Sequence, residues 1–470
     1  MKVTFINPSL TGRRSRGAME PLTFASLAAL TPPDIERVLY DECVEPIPFD
    51  EPTDLAAISA TTFTARRAYQ IALAFRRRGV PVVLGGYHPS FRPDEVARFA
   101  DAVVVGEAEN VWAGLLRDAR AGTLAKRYAS PCESLAGLRF DRSIFAGKRY
   151  QPVRLVQFGR GCPFSCDFCS IPRFFHDRRM QRPVREVAAE VETLGPGHVF
   201  FVDDNLHVGD TATRELLDAL VPLRRNWMCQ ASIDLAEDLD LVRRLKRAGC
   251  FAVLMGFESV KPATLARMGK TWHRGTEQYA ALVRRLHDHG ILVYGTFVFG
   301  YDEDTPEVIE ATLEFAERSK LFLAAFNLLT PIPGTATYDR LAAEGRLIGD
   351  PWYLDPRSRF TRAVLEPKGM SREAFERSVH AIRMRFYSLP SIVRRAVGTP
   401  RLVLHPMRLG LHLTANAIYR SEVHRLVDAP FGDPDDLAPL PLDGVDRGRD
   451  GPCRDPGDVT EETAAEAVGP

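Results

Sequence analysis

The sequence has no net charge to speak of: 61 Lys+Arg balance 61 Asp+Glu across 470 residues. That balance supplies no overall pull toward nucleic acid or an anionic membrane, and no nucleic-acid partner is expected. Long apolar runs are missing too. None approaches the ~18–20 residues a membrane span needs, so no transmembrane segment is expected. The opening MKVTFINPSL has only a few consecutive apolar residues and no small-residue cleavage site, unlike a secretory signal. Cysteine is sparse, eight in all, and Cys43, Cys132, Cys229, Cys250 and Cys453 are scattered. A disulfide framework is not expected at this size without a secretion signal. The expected compartment is the cytoplasm.

What is present describes a globular protein. Hydrophobic residues make up 45% and charged residues 26%, enough to build a sizeable core. The length favours two or three domains. Residues 1–120 alternate short apolar runs with helical patterns. Strands are expected at Val3–Ile6, Arg37–Tyr40, Leu55–Ser59, Val80–Leu84 and Ala102–Val105, and a strong helix at Ala65–Arg78. Alternation of this kind implies a parallel sheet covered on both faces, with ligands at the carboxyl ends of its strands. The loops there carry Asn7-Pro8, Thr61-Thr62, Gly85-Gly86-Tyr87-His88 and Gly106-Glu107.

Residues 121–152 lack periodicity and read as a linker with at most one hairpin. A second alternating block, 153–345, has six strand candidates, from Leu155–Phe158 to Leu323–Leu329, with helical patterns between them. Six units are too few for an eight-stranded barrel, so an open, partial barrel is expected. Residues 346–430 form a helical extension rich in arginine. Its basic helices fit a groove for an amphiphilic or acidic substrate, a membrane surface, or a bundle with a solvated basic face. From Phe431 to residue 470 Pro, Gly, Asp and Glu dominate, and disorder is expected.

The chemistry concentrates in one stretch, GRGCPFSCDFCS at 159–170. Cys162, Cys166 and Cys169 offer three soft thiolates, which suit zinc or iron–sulfur iron. A structural zinc site closes with four ligands, and His176 is the nearest candidate for a fourth. The alternative is a cluster on three cysteines with one iron left open for a substrate or cofactor.

CPFSCDFC, with an aromatic before the last cysteine, resembles the signature loop of the radical S-adenosylmethionine enzymes. The resemblance implies a 4Fe–4S cluster on Cys162, Cys166 and Cys169. Its open iron would chelate S-adenosylmethionine, and one electron would cleave it to methionine and a 5′-deoxyadenosyl radical. An external donor such as flavodoxin or ferredoxin would supply that electron. Phe168 would pack beside the last thiolate. VFFVDDN stands where the family has Gly-Gly-Glu, so Asp203, Asp204 and Asn205 would hold the cofactor's amino group. Ser232, Gly256, Glu258 and Gly300 would contact the rest of S-adenosylmethionine, and Gly295 would lie near its adenine.

INPS, ISATTFTARRA, LGGYHPSF and VVVGEAE in turn resemble the cobalamin-binding domains fused upstream of many such enzymes. That likeness makes residues 1–120 a doubly wound, Rossmann-like cobalamin domain. Asn7, Ser59, Thr61, Thr62, Gly85, Gly86, His88, Gly106 and Glu107 would line the cofactor, which would lack a lower histidine ligand. The expected architecture is therefore α/β: a cobalamin domain, a partial (β/α)6 radical barrel and a helical C-terminal extension. The activity implied is cobalamin-dependent methylation of an unreactive carbon in a small, hydrophobic or amphiphilic biosynthetic intermediate. A radical cyclase or rearrangement enzyme would use the same scaffold. A zinc-containing, non-catalytic binding protein is the reading from another class.

Overall fold

The structure is a computed structural model, and it describes residues 1–440 apart from 16, 207–209, 271–274, 400, 401, 403, 405, 437 and 439. The stretch 441–470, expected to be disordered, lies outside the described residues.

Six parallel strands form the first sheet: β1 (Lys2–Asn7), β2 (Glu36–Asp41), β3 (Leu55–Ser59), β4 (Val82–Gly85), β5 (Ala102–Val105) and β6 (Arg127–Ala129), in the order β2-β1-β3-β4-β5-β6. Alternation along the strands explains the covering of both faces. Val3, Phe5, Leu55, Ala57 and Val83 join Phe24 and Trp112 on one side. Ile6, Ala56, Ile58, Val82 and Leu84 join Tyr69 and Phe75 on the other. The order reverses between β1 and β3. Such a switch point opens a crevice at the strand ends, because the loops there leave in opposite directions.

The second sheet is built from β7 (Val153–Val156), β10 (His198–Phe201), β11 (Trp227–Gln230), β12 (Cys250–Glu258), β13 (Leu292–Phe299) and β14 (Leu323–Leu328). All are parallel and in strict sequence order, and β7 and β14 lie at opposite edges, so the sheet is open. Val293, Phe297 and Phe299 of β13 face the helices, where Phe297 stacks on Phe257 and meets Phe315 of helix Pro306–Arg318. Two short antiparallel strands, β8 (Gly159–Arg160) and β9 (Met180–Gln181), close the loop that follows β7.

Several expectations need correction. The stretch 121–152 is not a bare linker, and it forms no hairpin. Instead β6 pairs parallel to β5 and extends the first sheet past residue 120. The first strand of the second sheet lies two residues earlier than Leu155–Phe158, because Phe158 already belongs to the turn. Order also continues past Phe431. Its ring is buried, 5.6 Å from Trp352 and 6.2 Å from Phe63. Arg66, buried beneath, donates to the carbonyls of Leu354 (2.8 Å) and Ala438 (2.8 Å). One aromatic anchor and backbone carbonyls aimed at a buried cation hold a segment whose composition alone reads as disordered.

Helices Arg372–Phe386, Leu389–Val397 and Pro406–Arg425 cover the β14 edge. Two arginines point inward rather than to solvent. Arg383 donates to Phe326 O (2.7 Å), and Arg395 to Leu321 O (2.8 Å) and Asn416 Oδ1 (2.9 Å). No helix among the described residues is long and apolar enough to cross a membrane. Phe431→Ala should lower stability by about 3 kcal/mol, the cost of an emptied aromatic site, read from chemical denaturation; an unchanged midpoint would show the segment to be unanchored.

Candidate active site

The cysteine loop hangs from the end of β7, and the backbone at its base is held by two carboxylates. Asp203 accepts hydrogen bonds from the amides of Phe158 (3.1 Å) and Gly159, and Asp204 accepts one from Gly161 (2.8 Å). Burial pushes Asp203 up to about 7 against the pull of those amides, and raises Asp204 as well. Gly161 has φ +86°, and a Cβ there would sit 2.2 Å from the carbonyl oxygen of Arg178. Only glycine fits such a left-handed, crowded position. The two aspartates thus brace the loop's own backbone, and Asp203 also lines a recess beside the loop together with Gly161, Pro163 and Asn205.

The three thiols are half-buried and free. Burial raises all three, Cys166 to about 12 and Cys169 to about 11. Asn205 Nδ2 lies 3.7 Å from Cys162 Sγ and 3.3 Å from Ser232 Oγ, while Asn205 Oδ1 accepts the Ser232 amide (3.1 Å). The Lys270 ammonium lies 2.9 Å from Glu258 Oε1 and 3.0 Å from Gly256 O. It also lowers the Cys166 and Cys162 thiols, against their burial. Burial works against the Lys270 charge, yet Glu258 and Cys166 hold it above its ordinary value. A cation and an amide donor beside three thiols fit an anionic, thiolate-held group.

His176, the candidate fourth ligand, has φ +51° after the short helix Ile171–Phe174 and forms no close ligand set with the three cysteines among the described residues.

Asn205, Ser232, Gly256 and Glu258 therefore gather at the strand ends beside the cysteines. Glu258 has φ +63°, where the β12–β13 register shifts. A non-glycine residue held there costs about 1–3 kcal/mol, and such strain clusters at functional sites. Phe168 packs in an apolar cluster with Leu265, Met268, Tyr301 and Leu329. Asp167 accepts from Tyr301 Oη (2.6 Å), fixing the loop's far side. Gly300 and Gly295 turn out to be packing glycines: a Cβ would meet Leu329 at 3.0 Å from the first and Leu321 at 2.7 Å from the second.

The switch point of the first sheet holds a cavity of about 420 Å³. Asn7, Ser59, Thr61, Gly85, Gly86, Gly106 and Glu107 line it. Gly86, at φ +105°, lets the backbone pass close to Ala60, where a Cβ would sit 2.8 Å from its carbonyl oxygen. Thr62 and His88 do not reach this cavity. His88 is wholly buried between Tyr69 Oη (3.0 Å), Glu95 Oε1 (3.2 Å) and Thr62 Oγ1 (3.4 Å). Burial would raise Glu95, but His88 outweighs it and holds the carboxyl low.

The wall between the cavity and the cysteine loop was not foreseen from sequence. Arg160, next to the loop, pairs with Glu107 (2.6 Å) and Glu109 (2.6 Å) from the first sheet. Burial lowers Arg160, but the two carboxylates outweigh it and hold the guanidinium above its ordinary value. Tyr87 lines the same cavity and packs on Phe174 with ring centroids 4.3 Å apart. Lys270 escaped notice because nothing in its own stretch of sequence marks Glu258 and Gly256 as its partners.

The Radical SAM superfamily model matches residues 156–316. Over 402 residues the chain is 31% identical to the bacteriochlorophyllide d C-8(2)-methyltransferase of Chlorobaculum tepidum, covering 81% of this chain and 88% of that protein. In fold it resembles the radical S-adenosylmethionine methyltransferase TsrM from Kitasatospora setae, solved with cobalamin and a [4Fe-4S] cluster bound (TM-score 0.59, 18% identity, 80% of this chain and 84% of that one). It also resembles the cobalamin-dependent enzyme OxsB, solved with aqua-cobalamin and S-adenosylmethionine bound (TM-score 0.62, 14% identity, 91% and 72%).

Gly161→Ala should abolish iron retention after anaerobic reconstitution, as far as Cys166→Ala does, because the added methyl displaces the Arg178 backbone. Wild-type iron content in Gly161→Ala would show that the loop base is not what shapes the site.

Proposed function

The chain belongs to the radical S-adenosylmethionine enzymes, and on that premise we propose that it is a cobalamin-dependent enzyme that methylates an unreactive carbon of a small amphiphilic intermediate. The observation that carries this reading is one juxtaposition. A three-thiol loop and a switch-point cavity share a wall made by Arg160, Glu107 and Tyr87. We read 1–129 as the cobalamin unit, the second sheet as a partial barrel, and the helices after residue 371 as an extension over its last strand.

Cys162, Cys166 and Cys169 would hold a 4Fe–4S cluster, which when bound supplies one electron for reductive cleavage of S-adenosylmethionine. Cobalamin in the cavity, reached by Asn7, Ser59, Thr61, Gly85, Gly86 and Gly106, supplies a carrier for the methyl group. The protein's part is placement. Asn205 fixes Ser232 and Cys162 in one arrangement. Lys270 offsets thiolate charge and orients Glu258, whose strained backbone turns its carboxylate inward. The Arg160–Glu107–Glu109 set is buried, and losing one partner would strand a charge; it therefore keeps cavity and loop in register. Such enzymes need an external reductant, and a small flavodoxin- or ferredoxin-like donor fits that need.

Incubation with methyl-labelled S-adenosylmethionine, reductant and an amphiphilic tetrapyrrole-like acceptor should yield 5′-deoxyadenosine, S-adenosylhomocysteine and labelled product together. 5′-Deoxyadenosine without label transfer would replace methylation by cyclisation or rearrangement. Stoichiometric zinc and no cleavage would favour a binding protein. Thr23→Trp, at an exposed helical position on the cavity wall, should reduce cobalamin retained on gel filtration while iron content stays constant; undiminished retention would place cobalamin elsewhere.

A further inference from the structure

A buried cation stands beside the three thiols, and a carboxylate is matched to it. Lys270 and Glu258 are 8% and 7% exposed, with 2.9 Å between Nζ and Oε1. They come from different elements. Glu258 ends β12, and Lys270 follows helix Pro262–Arg267, donating its amide to Leu265 O (2.9 Å). The turn that carries Lys270 rests on the cysteine loop itself. The Asp167 amide donates to Met268 O (3.2 Å), and a Cβ on Gly269 would sit 3.3 Å from the carbonyl oxygen of Ser165. Ser165 and Asp167 flank Cys166, so the backbone before Lys270 is fixed on the middle of the three cysteines. Gly256 leaves room for the pair: a Cβ there would collide with Glu258 Oε1 and lie 3.3 Å from Lys270 Nζ.

A buried ion pair of this kind is a poor source of stability, because desolvation cancels most of the attraction. Its field is another matter. Charges in a site shut off from water are weakly screened. Net charge and hydrogen bonds to the sulfurs help set the electron affinity of an iron–sulfur cluster. The thiols already register both members of the pair. After burial, Lys270 is the largest influence on Cys166 and pulls it down, while Glu258 pushes Cys166 and Cys169 up. Asp204 pushes Cys162 and Cys169 up from the loop's base, and the Asn205 amide, 3.7 Å from Cys162 Sγ, acts against it.

We propose, on the reading that the three thiols hold a 4Fe–4S cluster, that the Lys270–Glu258 pair sets how readily that cluster takes up its electron. Lys270 favours uptake and Glu258 opposes it. The step concerned moves one electron from an external one-electron donor, which is oxidised as the cluster is reduced; no bond of the protein forms or breaks. Both residues act through the charge they place beside the thiolates and are positioning residues.

The test is an anaerobic redox titration of the reconstituted full-length protein without S-adenosylmethionine, followed by the spin-half signal, with iron content measured alongside. Lys270→Met should lower the equilibrium constant for one-electron uptake about tenfold, a midpoint about 59 mV more negative. Glu258→Gln should raise it by a similar factor, and the double variant should return toward wild type. Lys270→Arg, which keeps the charge, should leave the midpoint unmoved. A purely structural role would change iron content or melting temperature without shifting the two single variants in opposite directions. Should Lys270→Met hold no iron, Glu258→Gln decides alone, and a midpoint that does not rise overturns the proposal. Unmoved midpoints in both single variants, or shifts of the same sign, would overturn it and leave the cluster assignment intact. A wild-type protein with no spin-half signal would remove that assignment and the proposal with it.

Discussion

The chemistry of this protein depends on three thiols being held in place by a loop that cannot hold itself. Eight residues with three cysteines form no helix or sheet of their own. Their geometry is imposed from outside, by Asp203 and Asp204 on the amides of Phe158, Gly159 and Gly161, and by the short β8–β9 ladder. On the far side, Asp167 is fixed by Tyr301, and Phe168 is sunk in an apolar cluster. Backbone amides that end on buried carboxylates are strong, directional contacts.

A second constraint links the two sheets. Buried Arg160 is paired with carboxylates from the first sheet, and Tyr353, after the second sheet, donates to Glu95 at 2.8 Å. Trp352 and Phe431 add an aromatic seam against Phe63. Buried ion pairs contribute little net stability, since desolvation opposes attraction, but breaking one is costly. Their effect is to specify one relative placement of cavity and loop.

Local features were legible in the sequence and distant ones were not. The spacing of Cys162, Cys166 and Cys169 lies within eight residues and names its chemistry directly. Leu55–Ser59 and Ala102–Val105 are strands as their apolar runs imply, because strands buried on both faces need such runs. β6 escaped because three residues, Arg127–Ala129, are too few to show a period. His88 reads as an available imidazole, yet partners from two other helices enclose it. That Asp203 and Asp204 also accept from the loop's amides was not legible, because sequence does not show which nearby amides need acceptors. Gly295 and Gly300 read as access for a ligand, although neighbouring side chains claim the space. Lys270 and Arg160 act only through partners brought near by folding.

The central claim is that the three thiols carry a cluster with one iron open to S-adenosylmethionine. Electron paramagnetic resonance of the anaerobically reconstituted, reduced protein addresses it directly. A spin-half 4Fe–4S signal whose g-values shift when S-adenosylmethionine is added is the predicted result. A signal indifferent to S-adenosylmethionine, or a protein that takes up zinc and shows no cluster signal, would contradict the account.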